Sequence, residues 1–117
     1  MSTKRHRQAA TSDRLSQSAP VFAALGDRTR LRLVGRLCAD GPMSITRLTS
    51  GARVTRQAVT KHLQVLATAG VVRSARVGRE SIWELQTGEL EQARRTLDAI
   101  AAQWDSALDR LKRFVEE

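Results

Sequence analysis

The chain has 117 residues, 41% of them hydrophobic, and a formal net charge of +8 from 20 basic and 12 acidic side chains. This length suits one compact domain with a modest core, to which a shared subunit interface would add stability. The positive charge favours a polyanionic partner, and because every apolar run is too short for a membrane span, we expect no membrane partner.

The start of the chain and its cysteine content predict a cytoplasmic protein. No apolar stretch follows the charges of residues 1–7, which argues against a signal peptide. Cys38 is the only cysteine, so an intramolecular disulfide is impossible and a reducing compartment fits. We expect residues 1–14 to form a disordered basic arm and residues 15–117 to form a single domain.

Two helices are predicted on either side of Gly26. Residues 15–25 have amphipathic spacing, although Pro20 fits only a first turn or a kink. Asp27 is well placed as the N-cap of a second helix over residues 28–38. A row of arginines on this helix either lines the side that faces the polyanionic partner, such as DNA, or stays in water: Arg28, Arg32 and Arg36. Its predicted buried stripe consists of Leu31, Val34, Leu37 and Cys38.

A helix, a turn and a second, longer helix are predicted next. Ser44 caps a short helix of residues 45–50, and residues 51–54 make a tight connection. Thr55 then caps a longer helix that ends before Gly70. Its apolar face contains Val59, Leu63 and Leu66, and its opposite face contains Arg56, Gln57, Thr60, Lys61 and Gln64. Since Arg, Gln and Thr match base edges in the major groove, this polar face is typical of a DNA-recognition helix.

A β-hairpin follows, with strands over residues 71–77 and 81–86 and a turn at residues 78–80. Arg76 and Arg79 lie near its tip, where they can contact phosphates or the minor groove. Residues 53–79 hold six basic and no acidic side chains, so the charge excess lies in this part of the chain. The predicted fold is a winged helix-turn-helix, mainly α-helical with a small β-hairpin.

The last segment, about residues 89–115, is predicted as one long helix. Its apolar residues recur at alternating three- and four-residue spacing over nearly four heptads, so we expect the same helix of a second chain to cover them. Packing wholly on its own domain is the alternative. A two-fold dimer would place two recognition helices about 34–36 Å apart on an inverted repeat. The candidate interface residues are Leu90, Leu97, Ile100, Trp104, Leu108 and Leu111.

Four segments, taken in order, resemble the ArsR/SmtB family of bacterial winged-helix repressors: FAALGDRTRLRL at residues 22–33, RQAVTKHL at 56–63, GVV at 70–72 and GRE at 78–80. The resemblance covers about residues 20–86. It implies a nucleoid-associated homodimer that binds palindromic promoter DNA and blocks transcription until a signal releases it. The DNA-binding positions that it implies are Thr55, Arg56, Gln57, Thr60, Lys61, His62, Arg76 and Arg79.

Some of these assignments have alternatives. Arg56 and Gln57 could bind only the DNA backbone, His62 could pack within the domain, and Arg79 could pair with Glu80. The whole domain could also be a protein-interaction module that binds a partner through its last helix. An enzyme is not expected, because no nucleophile-elbow or phosphate-loop motif is present.

The releasing signal is not identified by the sequence. Metal-sensing relatives carry a cysteine pair on the supporting helix or Asp and His ligands on the last helix, but residues 45–49 contain no cysteine and residues 89–117 no histidine. Carboxylates alone make a weak transition-metal site, so we expect no metal and no cofactor. Cys38 either acts as a redox switch or serves as a small apolar core residue.

Overall fold

The computed structural model describes residues 3–116, and the side chains of residues 13–116. Helices and short strands follow in this order: α1 (Thr3–Leu25), α2 (Arg28–Asp40), β1 (Met43–Ser44), α3 (Ile45–Thr49), α4 (Arg56–Thr68), β2 (Val72–Val77), β3 (Glu80–Leu85) and α5 (Thr87–Glu116). The mainly helical fold with a small β-hairpin is therefore confirmed. Among these helices, none combines the length and the apolar character needed to cross a membrane.

The three strands form an antiparallel sheet in the order β1-β3-β2. The predicted hairpin pairs from Val72 opposite Leu85 to Val77 opposite Glu80, which leaves a two-residue loop. The first loop residue, Gly78, has a φ of 63°, a conformation that favours glycine. The sequence did not predict β1, which pairs Met43 with Trp83 and fastens the start of the helix-turn-helix to the hairpin.

Helix α1 begins well before the predicted residue 15. Residues 3–14, predicted as part of a disordered arm, are helical, and residues 1–2 lie outside the described part of the chain. No glycine or proline interrupts residues 3–19, and a helix that is anchored at one end extends at little cost per residue. The anchor is the packing of α1 against α5. Pro20 lies in the interior of α1, on the exposed side of the helix. Because proline has no N–H, the carbonyl group four residues earlier has no helical partner, and on this side water can bind it.

The buried stripe of α2 differs from the predicted one. Leu33 and Leu37 are buried, whereas Leu31 is 54% exposed and Cys38 is exposed. Leucines at positions 31, 33 and 37 allow two different helical stripes, and packing against α4 and β3 selects the one through Leu33. The prediction that Cys38 is a core residue is therefore wrong.

Three helix starts are stabilised as the sequence predicts. The side chains of Asp27, Ser44 and Thr55 each accept a hydrogen bond from the backbone N–H three residues later, at 3.0, 3.2 and 3.1 Å. Such caps satisfy N–H groups that the helix itself leaves unpaired. They fix where α2, α3 and α4 begin, and therefore how the two helices of the helix-turn-helix meet.

The core is built around α4. Val59, Leu63 and Leu66 are completely buried, together with Leu48 of α3 and Val71 just before β2. At the other side of the domain, α1 and α5 are joined by a buried hydrogen bond of 3.0 Å between the hydroxyl groups of Ser18 and Thr96. This bond lies where α5 leaves the core.

We expect two glycine substitutions to have opposite effects on stability. Gly70 ends the turn after α4 with a φ of 82°, and an added Cβ would lie 2.7 Å from Cγ of Glu89. Gly70→Ala should therefore lower the free energy of unfolding by about 1–2 kcal/mol. Gly35 lies within α2 with open space around it, so Gly35→Ala should raise the same quantity by roughly 0.5–1 kcal/mol. Urea unfolding measures both, and equal changes in the two variants would contradict this geometry.

Candidate nucleic-acid interface

The polar face of α4 lies open on the surface. Gln57, Lys61 and Gln64 are exposed and Thr60 is half-buried. Together with Arg56 they line a shallow depression, which we call the reading face. Because the opposite side of α4 is anchored in the core, the backbone behind these side chains is held in place. The structure thus brings together the central set of predicted reading residues.

Two threonines of this helix already use their hydroxyl groups. Thr55 accepts the N–H of Ala58, and Thr60 donates to the carbonyl oxygen of Arg56 at 2.9 Å. The methyl group of Thr60 remains available for apolar contact with a thymine methyl. Among residues 13–116, neither the amide of Gln57 nor the guanidinium of Arg56 donates a hydrogen bond, so their donors are available to base edges.

The hairpin carries the two predicted wing arginines on its exposed part. Arg76 lies opposite Ser81 in the β2–β3 register, and Arg79 lies in the loop. Among residues 13–116, no carboxylate oxygen lies within 4.0 Å of either guanidinium, so the alternative pair of Arg79 with Glu80 does not form there. Both charges are free to attract phosphate. Arg73, by contrast, pairs with Glu84 across the hairpin.

His62 is not placed with the reading face. Its Nδ1 atom lies 3.3 Å from a terminal nitrogen of Arg30 and 3.8 Å from a carboxylate oxygen of Asp27, and the side chain is only 25% exposed. Although His62 adjoins Lys61 in sequence, the helical twist directs it toward α2. The arrangement favours the alternative in which His62 packs within the domain and positions α4.

The His62 contacts belong to a small network at the junction of three helices. Arg30 also donates from Nε to the carbonyl oxygen of Ala24 near the end of α1. The backbone N–H of Arg30 lowers the pKa of Asp27, and the charge of Arg30 acts in the same direction. The network thus links the end of α1, the start of α2 and the reading helix. The cap at Asp27 was visible in the sequence, but its contact with His62 was not.

Arg36 is a second residue whose role the sequence did not reveal. One of its terminal nitrogens donates to the carbonyl oxygens of Leu48 at 3.1 Å and Ser50 at 3.5 Å. These carbonyls lie at the end of α3, where the helix leaves acceptors unpaired. Arg36 therefore holds the supporting helix α3 against α2. The four-residue spacing of Arg28, Arg32 and Arg36 was the only sequence signal for it.

The described residues include no cluster of three His, Cys, Asp or Glu side chains close enough to hold a metal ion. Cys38 lies on the surface of α2 as a free thiol.

Two helices in a helix-turn-helix arrangement, the second with an exposed polar face, and an arginine-tipped hairpin beside them define a winged helix-turn-helix DNA-binding protein. A family model described as a helix-turn-helix domain matches residues 25–75. The HTH-type transcriptional regulator Rv2034 of Mycobacterium tuberculosis is 37% identical over 87 residues, which are 74% of this chain and 78% of that protein. The chain belongs to the ArsR/SmtB family of helix-turn-helix transcriptional regulators.

Two further similarities support this assignment. The structure of an ArsR-like transcriptional regulator from Rhodococcus sp. RHA1 superposes with a TM-score of 0.69 at 38% identity, covering 85% of this chain and 92% of that one. A protein of Synechocystis sp., named a transcriptional repressor SmtB homolog, is 34% identical over 73 residues, 62% of this chain and 54% of that protein. These relatives are regulators rather than enzymes, and the chain is accordingly a DNA-binding transcriptional regulator.

The different environments of His62 and Gln57 predict different effects of alanine substitution. His62→Ala should lower the free energy of unfolding by about 0.5–3 kcal/mol, because it removes a half-buried ring and its contacts with Asp27 and Arg30. Gln57→Ala, on the exposed face, should change it by less than about 0.5 kcal/mol. Chemical denaturation of both variants measures the difference. A His62→Ala protein as stable as the unmodified one would argue against the positioning role.

Proposed function

We propose that this protein is a homodimeric repressor that binds an inverted-repeat operator with one reading face in each half-site. The observation that carries the proposal is the pairing of two surfaces on one rigid domain: the reading face of α4 and a long, uncovered apolar face on α5. The first surface binds DNA, and the second joins two copies so that two reading faces act together.

The apolar face of α5 divides at Thr96. Before this residue α5 packs on its own domain, with Ala93 and Thr96 buried and Leu90 half-buried against the core. Beyond it the large apolar side chains are exposed: Leu97, Ile100, Trp104, Leu108, Leu111 and Phe114. Leu90 is therefore assigned to the chain's own core, and the other five candidate interface residues are assigned to the dimer.

A second copy of the same helix fits this apolar face best. The exposed residues keep the three- and four-residue spacing with which helices interdigitate, over about five turns of α5. Trp104 is 65% and Phe114 79% exposed, an unusual exposure for such large side chains on a monomer. In a two-fold dimer the apolar face of one chain packs against the same face of the other chain. A single apolar face per chain is therefore enough to form the dimer.

Roles on DNA follow from chemistry and position. Arg56 and Gln57 carry the donors that recognise guanine and adenine edges, and Thr60 offers its methyl group to thymine. Lys61 contacts phosphates beside the groove, as do Arg76 and Arg79 on the wing. The N-terminus of α4, capped by Thr55, adds the positive end of a helix dipole.

Repression is the simplest outcome of this binding, because a dimer seated on promoter DNA excludes the transcription machinery. The name of the Synechocystis relative, a transcriptional repressor, supports this outcome. If instead the domain is a protein-interaction module, operator binding will be absent and α5 will bind another protein.

Substitutions on the reading face and on the wing should affect DNA binding differently. Arg56→Ala or Gln57→Ala should weaken operator binding by about 1–3 kcal/mol and relax the preference at one base pair. Arg76→Ala or Arg79→Ala should weaken operator and random DNA alike, because phosphates carry no sequence information. Fluorescence anisotropy with both DNAs measures this. An equal reduction on operator and random DNA for Arg56→Ala would contradict base reading.

A charge in the exposed apolar face should separate the subunits. Leu97→Glu should yield a monomer in analytical ultracentrifugation and abolish tight operator binding, because a buried unpaired carboxylate is costly at an interface. Ala102→Glu is the matched control: it adds the same charge five residues further along α5, on the opposite side of the helix. The control should remain a dimer. An unmodified protein that sediments as a monomer would contradict the proposed assembly.

A further inference from the structure

A basic cleft lies between α2 and the turn that joins α3 to α4, next to the start of the reading helix. It encloses about 330 Å³ and carries Thr29, Arg32 and Arg36 on one wall and Ser50 and Arg53 on the other. The three α2 residues follow each other at spacings of three and four, so they share one face of the helix. We call this the α2–turn cleft.

Three arginines line this cleft, and none of them has an acidic partner among the described side chains. Arg32 and Arg53 are exposed, and among residues 13–116 no carboxylate oxygen lies within 4.0 Å of Arg32, Arg36 or Arg53. An anion that enters a cleft lined by three positive charges is attracted by each of them. None of these three charges was given a DNA role by the reading-face and wing assignments.

Arg36 retains hydrogen-bonding capacity inside the cleft. Its bonds to Leu48 and Ser50 use one terminal nitrogen, and its Nε and second terminal nitrogen have no partner among residues 13–116. A guanidinium with two neighbouring free N–H groups matches a phosphate oxygen pair. The buried floor of Leu33, Leu48 and Val59 limits water on one side of the cleft and thereby strengthens the attraction.

The position of the cleft favours a phosphate of the DNA backbone over a phosphate group of a small metabolite. Arg53 precedes Thr55, the N-cap of α4, by two residues, so one wall of the cleft continues directly into the start of the reading helix. When α4 lies in the major groove, the sugar-phosphate backbone runs past its N-terminal end. A phosphate group of a small metabolite has the same chemistry but no reason to lie at this end of α4.

We propose that the α2–turn cleft binds one phosphate of the DNA backbone, with the exposed Arg32 and Arg53 on its two walls and Arg36, which is held by the end of α3, as a third donor. This inference rests on the proposed DNA-binding function and adds an anchor outside the reading face and the wing. Arg36 holds the end of α3, and Arg53 lies two residues before the N-cap of α4. The bound phosphate would therefore be linked to both helices of the helix-turn-helix.

The test compares the double variant Arg32→Gln/Arg53→Gln with the unmodified protein. Arg36 is left intact because its removal would loosen α3. Because each subunit of the double variant neutralises one phosphate fewer, the dimer loses two phosphate contacts, and the log-log slope of operator affinity against salt should weaken by about 1.8. Between about 50 and about 200 mM salt, the fall in affinity should then be about twelvefold smaller than for the unmodified protein. Arg110→Gln/Arg113→Gln, near the end of α5, removes the same number of charges and is the matched control, which should keep the unmodified slope.

A second arm locates the phosphate. Each operator phosphate is replaced in turn by a neutral methylphosphonate, and one position in each half-site, related by the two-fold symmetry, should weaken binding of the unmodified protein at least about threefold while leaving the double variant unaffected. A third arm titrates inorganic phosphate into both proteins. If the double variant no longer binds inorganic phosphate but keeps the unmodified salt slope, the cleft serves a free anion and the assignment to the DNA backbone is overturned.

The outcomes separate this inference from the proposed function. If Arg56→Ala weakens operator binding but Arg32→Gln/Arg53→Gln behaves like Arg110→Gln/Arg113→Gln, the cleft is not a DNA anchor and the repressor assignment stands. If the unmodified protein binds no operator, both the proposed repressor function and the phosphate site in the cleft are contradicted.

Discussion

The complete burial of one side of α4 is the constraint on which the rest of the structure depends. Val59, Leu63 and Leu66 have no exposed surface, so the helix that carries the reading face is also the centre of the core. Disrupting this packing would cost more than removing any single polar group from the opposite face. As a result, the polar side chains are presented on a backbone that cannot rotate or slide without opening the domain.

Contacts around α4 extend this control to its neighbours. The Asp27–Arg30–His62 network fixes α4 against the start of α2, and Arg36 fixes the end of α3 against the same helix. Helix α2 is therefore more than a spacer, because it positions both members of the helix-turn-helix. Arg32 and Arg36 of the α2–turn cleft lie on this same helix, so a contact with the DNA backbone there would add to its structural role.

The sequence predicted best where local chemistry decides the structure. The caps at Asp27, Ser44 and Thr55, the apolar period of α4 and the glycine turn of the hairpin are all local, and each was found as expected. Predictions failed where tertiary packing chooses between local options. Leu31 and Leu33 offer α2 two possible stripes, β1 has only two residues and so no period, and residues 3–14 become helical as an extension of a helix packed on α5. Likewise, neither the inward direction of His62 nor the carbonyl contacts of Arg36 can be read from spacing alone.

The central claim is that two copies of the reading face enter successive major grooves of one operator, and affinity cleavage tests it most directly. Cys38 is replaced by serine, Gln64 on the exposed reading face by cysteine, and an iron chelate that cleaves nearby DNA is attached to the new thiol. We expect two cleavage clusters in the major groove, related by two-fold symmetry and about 10 base pairs apart or a multiple of that distance. A single cluster, or cleavage spread evenly along the duplex, would contradict a two-fold reader built on α4.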